Sequence, residues 1–155
     1  MTQEESLSVS AIKNGTVIDH IPPGQALILV RLLALDLEKQ RVTIGLHLTS
    51  PLMGYKDLIK VEERFLTERE LEEIAVFAPE ATVSCIKNYR VEKKAQALLP
   101  RCIERILVCP NTRCISRHEP IASQFLVEKF KQMVFLRCHF CEKLFERTEI
   151  SEYTT

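Results

Sequence analysis

Four of the six cysteines form two closely spaced pairs. Four residues separate Cys109 from Cys114, and two separate Cys138 from Cys141. Two tight turns that each present a pair of thiolates supply the four soft ligands of a tetrahedral zinc ion, at Zn–S distances of about 2.3 Å. Because four thiolates leave no position for water, the spacing predicts one structural Zn2+ per chain, whose binding is coupled to folding. The alternative is that the pairs are fortuitous and the thiols are simply buried or free.

The remaining reactive side chains do not suggest a catalytic centre. Cys85 and Cys102 lack paired spacing and are predicted to be small core residues. His118 and His139 are predicted to lie at the surface or around the metal site, since four cysteines complete its ligand sphere. The sequence has no Walker loop, dinucleotide fingerprint or nucleophile elbow. Asp19 and His20 are adjacent, and strand neighbours point to opposite faces, so we do not expect a catalytic dyad or an enzyme.

Composition narrows the class of protein further. The chain has 155 residues, 46% of them hydrophobic and 27% charged, which is typical of a globular protein. Its 21 basic and 21 acidic residues argue against binding to nucleic acid or membrane by bulk charge. The polar N-terminus predicts no secretory signal, and no apolar run approaches the roughly 20 residues of a membrane span. We therefore expect a cytoplasmic protein, where cysteines are more often metal ligands than disulfides.

The cysteines also divide the chain into two unequal parts. Only Cys85 precedes residue 100, and the change in composition coincides with Leu98, Leu99 and Pro100. This predicts a domain at 1–100 and a second at 101–155. The second is too small to be stable on an apolar core alone, so the metal would hold it together.

The order of predicted elements identifies the fold class. In the first domain, Asn14-Gly15 indicates a turn or hairpin. Thr67 and Glu70 form a capping box that opens a helix over 68–77. Strands are predicted at 17–21, 41–48, 57–62, 82–86 and 89–93, with a further helix over 25–38. The strand at 41–48 alternates, with Val42, Ile44, Leu46 and Leu48 on one face.

This β-α-β-β-α-β order predicts an α+β fold: an N-terminal ferredoxin-like (split β-α-β) sandwich with a mainly antiparallel sheet. Short strands at 103–108, 121–127, 133–137 and 143–147 predict a small C-terminal zinc-binding β domain.

Several segments resemble one family over nearly the whole chain. They include Asn-Gly-Thr-Val-Ile-Asp-His-Ile-Pro at 14–22 within the longer match over 11–22, Met-Gly-Tyr-Lys-Asp-Leu-Ile-Lys at 53–60, and 78–83. They continue with 108–111, 114–116 and the Cys-x-x-Cys-Glu-Lys segment at 138–143. The chain resembles the regulatory chain of aspartate carbamoyltransferase.

The resemblance implies a non-catalytic subunit that controls the first committed step of pyrimidine biosynthesis. It implies CTP as inhibitor and ATP as activator, with UTP acting alongside CTP in some members. It also implies a regulatory-chain homodimer, and a zinc domain that docks on the catalytic chain in an assembly of two catalytic trimers and three regulatory dimers.

The resemblance also implies site residues. Lys94 resembles a phosphate contact, Lys60 a base and ribose contact, and Lys56 a position that reaches a second nucleotide or its metal. The full nucleotide-binding set that it implies is Val9, Ser10, Ala11, Ile12, Val17, Asp19, His20, Lys56, Leu58, Lys60, Ser84, Ile86, Tyr89, Val91 and Lys94. The metal ligands are Cys109, Cys114, Cys138 and Cys141, and the catalytic-chain interface comprises Asn111, Arg113, Glu142 and Lys143.

Three positions depart from the family pattern and keep alternatives open. Ser10 replaces a frequent acidic residue, Ser84 a frequent Asn, and Arg113 a frequent Asn. The shorter hydroxyls put base discrimination in doubt, so a zinc-stabilised scaffold with a weakened nucleotide response is one alternative. A zinc-ribbon nucleic-acid-binding module is another. The second domain's 9 basic and 7 acidic residues, a net charge of only +2, argue against it.

Overall fold

Two antiparallel sheets, one within residues 15–96 and the other within residues 102–146, organise the computed structural model, which describes residues 9–154. The N-terminal residues on which the absence of a secretory signal was predicted lie outside this range. Among the described residues, no helix combines the length and the apolar character that a bilayer span requires.

The first sheet has five strands, and two α-helices connect strands of it. In chain order these are β1 (Gly15–Ile21), α1 (Ala26–Leu32), β2 (Val42–Ser50), β3 (Gly54–Glu62), α2 (Glu68–Phe77), β4 (Thr82–Lys87) and β5 (Arg90–Gln96). The strand order is β2-β3-β1-β4-β5, and every neighbouring pair is antiparallel. The first four strands have the split β-α-β arrangement, with β5 added at one edge. The α+β ferredoxin-like prediction is therefore confirmed.

The core lies between this sheet and its helices. Ile18 of β1 and Ile59 of β3 are fully buried and lie opposite each other, as do Ile18 and Val83 of β4. Ile74 and Ala75 of α2 are also fully buried. Since successive strand residues alternate between faces, Val17 and Lys60 lie on the opposite side of the sheet, away from this core.

Local signals placed α2 correctly. It spans the predicted residues, and Thr67 and Glu70 form the predicted capping box. The other helix is shorter than predicted. α1 ends at Leu32, Ala34 has a φ of 52°, and a short 3-10 turn follows at Leu35–Leu37. Arg64, which is distant in sequence, donates to the carbonyl of Leu33 and stabilises this interruption.

The predicted alternation of β2 is broken by a bulge. Ile44 pairs with Ile59 on the helix side, but the register shifts between Gly45 and Leu48, so that Leu48 pairs with Lys56 on the other side. Ile44 and Leu46 are also 37% and 49% exposed because β2 is an edge strand. The prediction of one continuous apolar face was wrong for this reason.

The second sheet is smaller and strictly sequential. Its strands are β6 (Cys102–Glu104), β7 (Gln124–Phe130), β8 (Met133–Cys138) and β9 (Leu144–Glu146), in the order β6-β7-β8-β9. β6 is shorter than predicted because Arg105 has a φ of 70°, which ends the extended conformation.

The part of the chain that contains the first sheet is in direct contact with the part that contains the second. The rings of Phe77 and Tyr153 meet edge to face at 6.1 Å, and Arg147 donates to the carbonyl of Val76 near the end of α2. Arg69 donates to the carbonyl of Glu104 in β6. The contacts attach the second sheet directly to α2.

Candidate metal centre and effector face

The four paired cysteines converge on one point. All four Sγ atoms lie within 4.8 Å of one another. The Cys109–Cys141 and Cys114–Cys138 pairs are each separated by 3.7 Å. A regular tetrahedron with Zn–S bonds of about 2.3 Å has sulfur atoms about 3.8 Å apart, whereas a disulfide requires about 2.05 Å. The geometry therefore fits four thiolates around one metal ion.

Two turns present these thiols. The first is closed by the Cys114 N–H, which donates to the carbonyl of Asn111 at 2.9 Å. The second follows β8, where the Glu142 N–H donates to the carbonyl of Cys138 at 2.9 Å and Glu142 has a φ of 61°. Backbone N–H groups also point at the sulfurs, from Asn111 to Cys109 and from Lys143 to Cys141. Such donors stabilise the thiolate form, and each sulfur keeps further lone pairs with which to bind a metal.

The thiols differ in acidity for local reasons. Burial raises the pKa of Cys109 and Cys138 against the opposing effect of backbone N–H donors. At Cys141 burial also acts to raise the pKa, but the N–H of Lys143, the Asn111 side chain and the neighbouring thiols of Cys109 and Cys138 together outweigh it and bring the pKa to about 7. A bound zinc ion would supply the positive charge that four buried thiolates need.

Cys85, Cys102, His118 and His139 are not members of this cluster. His118 and His139 are exposed, and His118 Nε2 lies 2.7 Å from the carbonyl of Thr112. The prediction that Cys85 and Cys102 are core residues was wrong. Cys102 is exposed because Ile103, its neighbour in β6, takes the inward position. Cys85 is half-buried, with its Sγ 3.8 Å from the Glu92 carboxylate.

The residues implied for docking surround the metal turns. The Asn111 carboxamide oxygen accepts from the Arg113 N–H at 3.2 Å, which shapes the first turn. Arg113, Glu142 and Lys143 are exposed. Arg117 donates to the carbonyl of Cys109 at 2.8 Å. It is not among the residues that the resemblance implied for docking.

The residues implied for nucleotide binding gather on the sheet face that the helices leave open. Lys60 of β3 pairs with Val17 of β1, Val17 with Ser84 of β4, and Ser84 with Lys94 of β5, so the four form one row. Residues directly opposite in antiparallel strands share a face. Leu58 lies two residues along β3 on the same face and is buried.

The β4–β5 hairpin forms one side of this face. Ile86 is buried and pairs with Val91, which is exposed like Tyr89 in the turn. The Tyr89 N–H donates to the carbonyl of Lys13, which ties the hairpin to the segment before β1.

Lys60 connects the row to that preceding segment. Its Nζ donates to the carbonyl of Ser10 at 2.9 Å and to that of Val9 at 3.2 Å. Burial lowers the pKa of Lys60, and the nearby Asp19 carboxylate opposes this only in part. Ala11 and Ser10 are exposed, whereas Ile12 is buried and anchors the segment.

Asp19, His20 and Lys56 form a compact polar cluster farther along the same face. Lys56 Nζ lies 2.9 Å from Asp19 Oδ1, and His20 Nδ1 lies 4.0 Å from Asp19 Oδ2. Burial acts to raise the pKa of Asp19, but the Lys56 ammonium and the His20 N–H outweigh it and hold the pKa below its usual range. Thr82, which the sequence did not single out, lies 3.1 Å from His20 Nδ1.

The proximity of Asp19 and His20 corrects the expectation that they point to opposite faces. The register of β1 against β3 shifts between Ile18 and Ile21, and His20 has a φ of 56°. This bulge turns the His20 side chain towards Asp19, which an unbroken strand would not do.

The sequence matches two family descriptions that together span most of the chain. "Aspartate carbamoyltransferase regulatory chain, allosteric domain" matches residues 7–97, and "Aspartate carbamoyltransferase regulatory chain, metal binding domain" matches residues 101–151. The second match and the cysteine cluster confirm the predicted structural metal ion, which is zinc in this family.

Individual relatives are similar over almost their whole length. The aspartate carbamoyltransferase regulatory chain of Photorhabdus laumondii is 50% identical over 150 residues, 97% of each chain. That of Vibrio campbellii is 45% identical over 98% of this chain and 99% of its own. That of Escherichia coli O139:H28 is 47% identical over 97% of this chain and 98% of its own.

Proposed function

The chain belongs to the family of aspartate carbamoyltransferase regulatory chains, which are non-catalytic, and on that premise we propose that it is a nucleotide-responsive subunit. CTP acts as the inhibitor and ATP as the activator, with UTP acting alongside CTP. All bind the open face of the first sheet and control the aspartate carbamoyltransferase reaction, the first committed step of pyrimidine biosynthesis.

The observation that carries this proposal is the arrangement of cations on that face. A nucleoside triphosphate needs positive charge for its phosphates, polar groups for base and ribose, and an apolar wall. Lys60 and Lys94 lie in one row with Val17 and Ser84 between them. Lys56 and His20 add further positive or hydrogen-bonding groups, and Ile86 and Val91 supply the wall.

We propose different functions for the two domains. The domain at 1–100 binds effectors, and the zinc domain at 101–155 docks on the catalytic chain. The exposed Arg113, Glu142 and Lys143, together with Asn111, lie at the metal turns and suit a polar protein interface. Two copies of the chain pair as a homodimer, and three such dimers bridge two catalytic trimers. Four zinc-bound thiolates suit the reducing cytoplasm.

Regulation then follows from differential binding. An effector shifts the equilibrium between two quaternary states only by its difference in affinity for them, typically about 1–3 kcal/mol. By linkage, a substrate analogue on the catalytic chain must change CTP affinity by the same factor.

Titration of the assembled holoenzyme with CTP and with ATP tests the proposal. We expect CTP to move the aspartate saturation curve to higher aspartate concentration and ATP to move it lower. Curves that neither nucleotide changes, in a complex of full stoichiometry, would refute nucleotide control. They would favour the scaffold alternative, for which the short Ser84 side chain in the central row is the specific reason.

A further inference from the structure

A buried carboxylate lies on the helix side of β3, directly behind the cluster of Asp19, His20 and Lys56. Asp57 is 1% exposed and follows Lys56 in β3, so the two side chains take opposite faces of the sheet. None of its hydrogen-bond partners belongs to β3. Because a buried carboxylate is costly unless its oxygens accept hydrogen bonds, these partners identify what Asp57 holds in place.

One oxygen of Asp57 fixes the turn between β1 and α1. Oδ2 accepts from the N–H of Gly24 at 2.9 Å and from that of Ala26, the first residue of α1, at 3.3 Å. The residue before the helix, Gln25, makes no capping hydrogen bond with its own side chain. Asp57 therefore supplies from β3 the acceptor that a local N-cap residue would normally provide.

The other oxygen fixes the bulge in β2. Oδ1 accepts from the N–H of His47 at 2.9 Å. His47 has a φ of 57° and lies within the register shift between Gly45 and Leu48. β1 is the other neighbour of β3 in the sheet, and its bulge ends at Ile21, which pairs directly with Asp57. Asp57 thus lies where the two bulges meet.

The β1 bulge brings Asp19 and His20 together, and Lys56 forms an ion pair with the same Asp19 carboxylate. We propose that Asp57 is a positioning residue of the effector site. It fixes the turn after β1 and the bulge of β2, and so holds Lys56, Asp19 and His20 in the arrangement that receives a nucleotide's phosphate and ribose. This inference rests on the proposed function. Asp57 itself faces the helices and does not touch the ligand.

The variant Asp57→Asn tests this role in the full-length, zinc-loaded chain. An amide keeps one acceptor oxygen, so it can serve the β2 bulge or the α1 turn but not both. The matched control is Thr67→Ala, which removes the cap of α2. Among the described residues, the Thr67 side chain makes no hydrogen bond to either bulge. At a temperature where both variants are folded, we expect Asp57→Asn to bind CTP and ATP about tenfold more weakly. Thr67→Ala should bind them as the parent does.

A double-mutant cycle separates positioning from general loosening. With Lys56→Ala already present, Asp57→Asn should cause a smaller loss than in the parent chain, because one of the three groups that it positions is gone. With Lys94→Ala present, it should cause its full loss, since Lys94 lies on β5, with two strands between it and β3. Equal losses on both backgrounds would show a merely structural effect and overturn the proposal.

A readout without nucleotide completes the test. The Asp19 carboxyl is titrated by carbon NMR in the presence of the groups that face it, which are Lys56, His20 and Lys60. We expect Asp57→Asn to raise the pKa of Asp19 towards its usual range, and Thr67→Ala to leave it unchanged. An unchanged pKa in Asp57→Asn, or an equal change in Thr67→Ala, overturns the positioning role.

The two proposals can fail separately. A parent chain that binds no triphosphate refutes the proposed function, while the Asp19 titration still decides the role of Asp57. If Asp57→Asn does not fold, Asp57→Glu, which keeps both acceptor oxygens on a longer stem, is measured in the same way. The same direction of change is expected.

Discussion

Lys94 is the residue at which phosphate binding can be separated from base recognition. It is exposed at the edge strand β5 and lies at one end of the row through Ser84 and Val17. A phosphate contact carries no information about the base. We therefore expect Lys94→Ala to weaken CTP and ATP by the same factor, about tenfold for one charge-assisted hydrogen bond. Equilibrium binding to the holoenzyme measures this.

The control is Lys87→Ala, which removes an exposed lysine already paired with Glu92 at 3.1 Å. It should leave both affinities unchanged. Loss of CTP binding alone in Lys94→Ala would contradict the phosphate role and place Lys94 against the base.

At the scale of single residues, the sequence predicted what depends on spacing alone. The cysteine cluster could be predicted because two short turns fix which thiols can meet. The exposure of Cys102 and the approach of His20 to Asp19 could not be predicted, because both depend on which face of its strand a residue occupies. A single bulge reverses that face, and no local motif marks the bulge at His20.

At the scale of elements, the Asn14-Gly15 pair marks a bend and not the hairpin that was the other possibility. The chain bends at Lys13 and Asn14, and Gly15 then begins β1 with a φ of 140°. An added Cβ would lie 2.0 Å from the carbonyl oxygen of Val61 in β3. We expect Gly15→Ala to lower the free energy of unfolding by roughly 3 kcal/mol through steric overlap and backbone strain. Urea unfolding of the zinc-loaded chain measures this.

Gly54→Ala provides the comparison. Gly54 also has a positive φ, of 79°, but has nothing within 4 Å of an added Cβ. The expected loss is therefore only the backbone strain, about 1–2 kcal/mol. Equal losses at both positions would show that the close approach of β1 to β3 does not restrict position 15.

Local sequence signals could predict those elements whose limits are set by residues of the same segment. α2 begins at a capping box formed by Thr67 and Glu70, three residues apart. α1 has no such signal: its start is capped from β3 by Asp57, and its end is stabilised by Arg64. Both partners are more than 30 residues away along the sequence, so a window along the chain could not set these limits.

At the scale of the whole molecule, the metal centre links the stability of the second domain to the docking role that we propose for it. The second sheet has two three-residue edge strands, β6 and β9, and a core in which Phe125 and Leu136 are fully buried. So small a core stabilises a domain weakly. The metal turns that complete it also carry the proposed docking residues Asn111, Arg113, Glu142 and Lys143, so loss of zinc should remove the fold and the proposed docking surface together.

We therefore expect Cys138→Ala to unfold residues 101–155 and to abolish association with the catalytic chain. Limited proteolysis reports the unfolding, and co-purification with catalytic trimers reports the association. Cys102→Ala is the matched control, because it removes an exposed cysteine of β6 outside the cluster and should change neither. Since three thiolates leave one ligand position open, the ion would no longer be closed off from water and competing ligands. A Cys138→Ala chain that still co-purifies at full stoichiometry would show that docking does not require the metal.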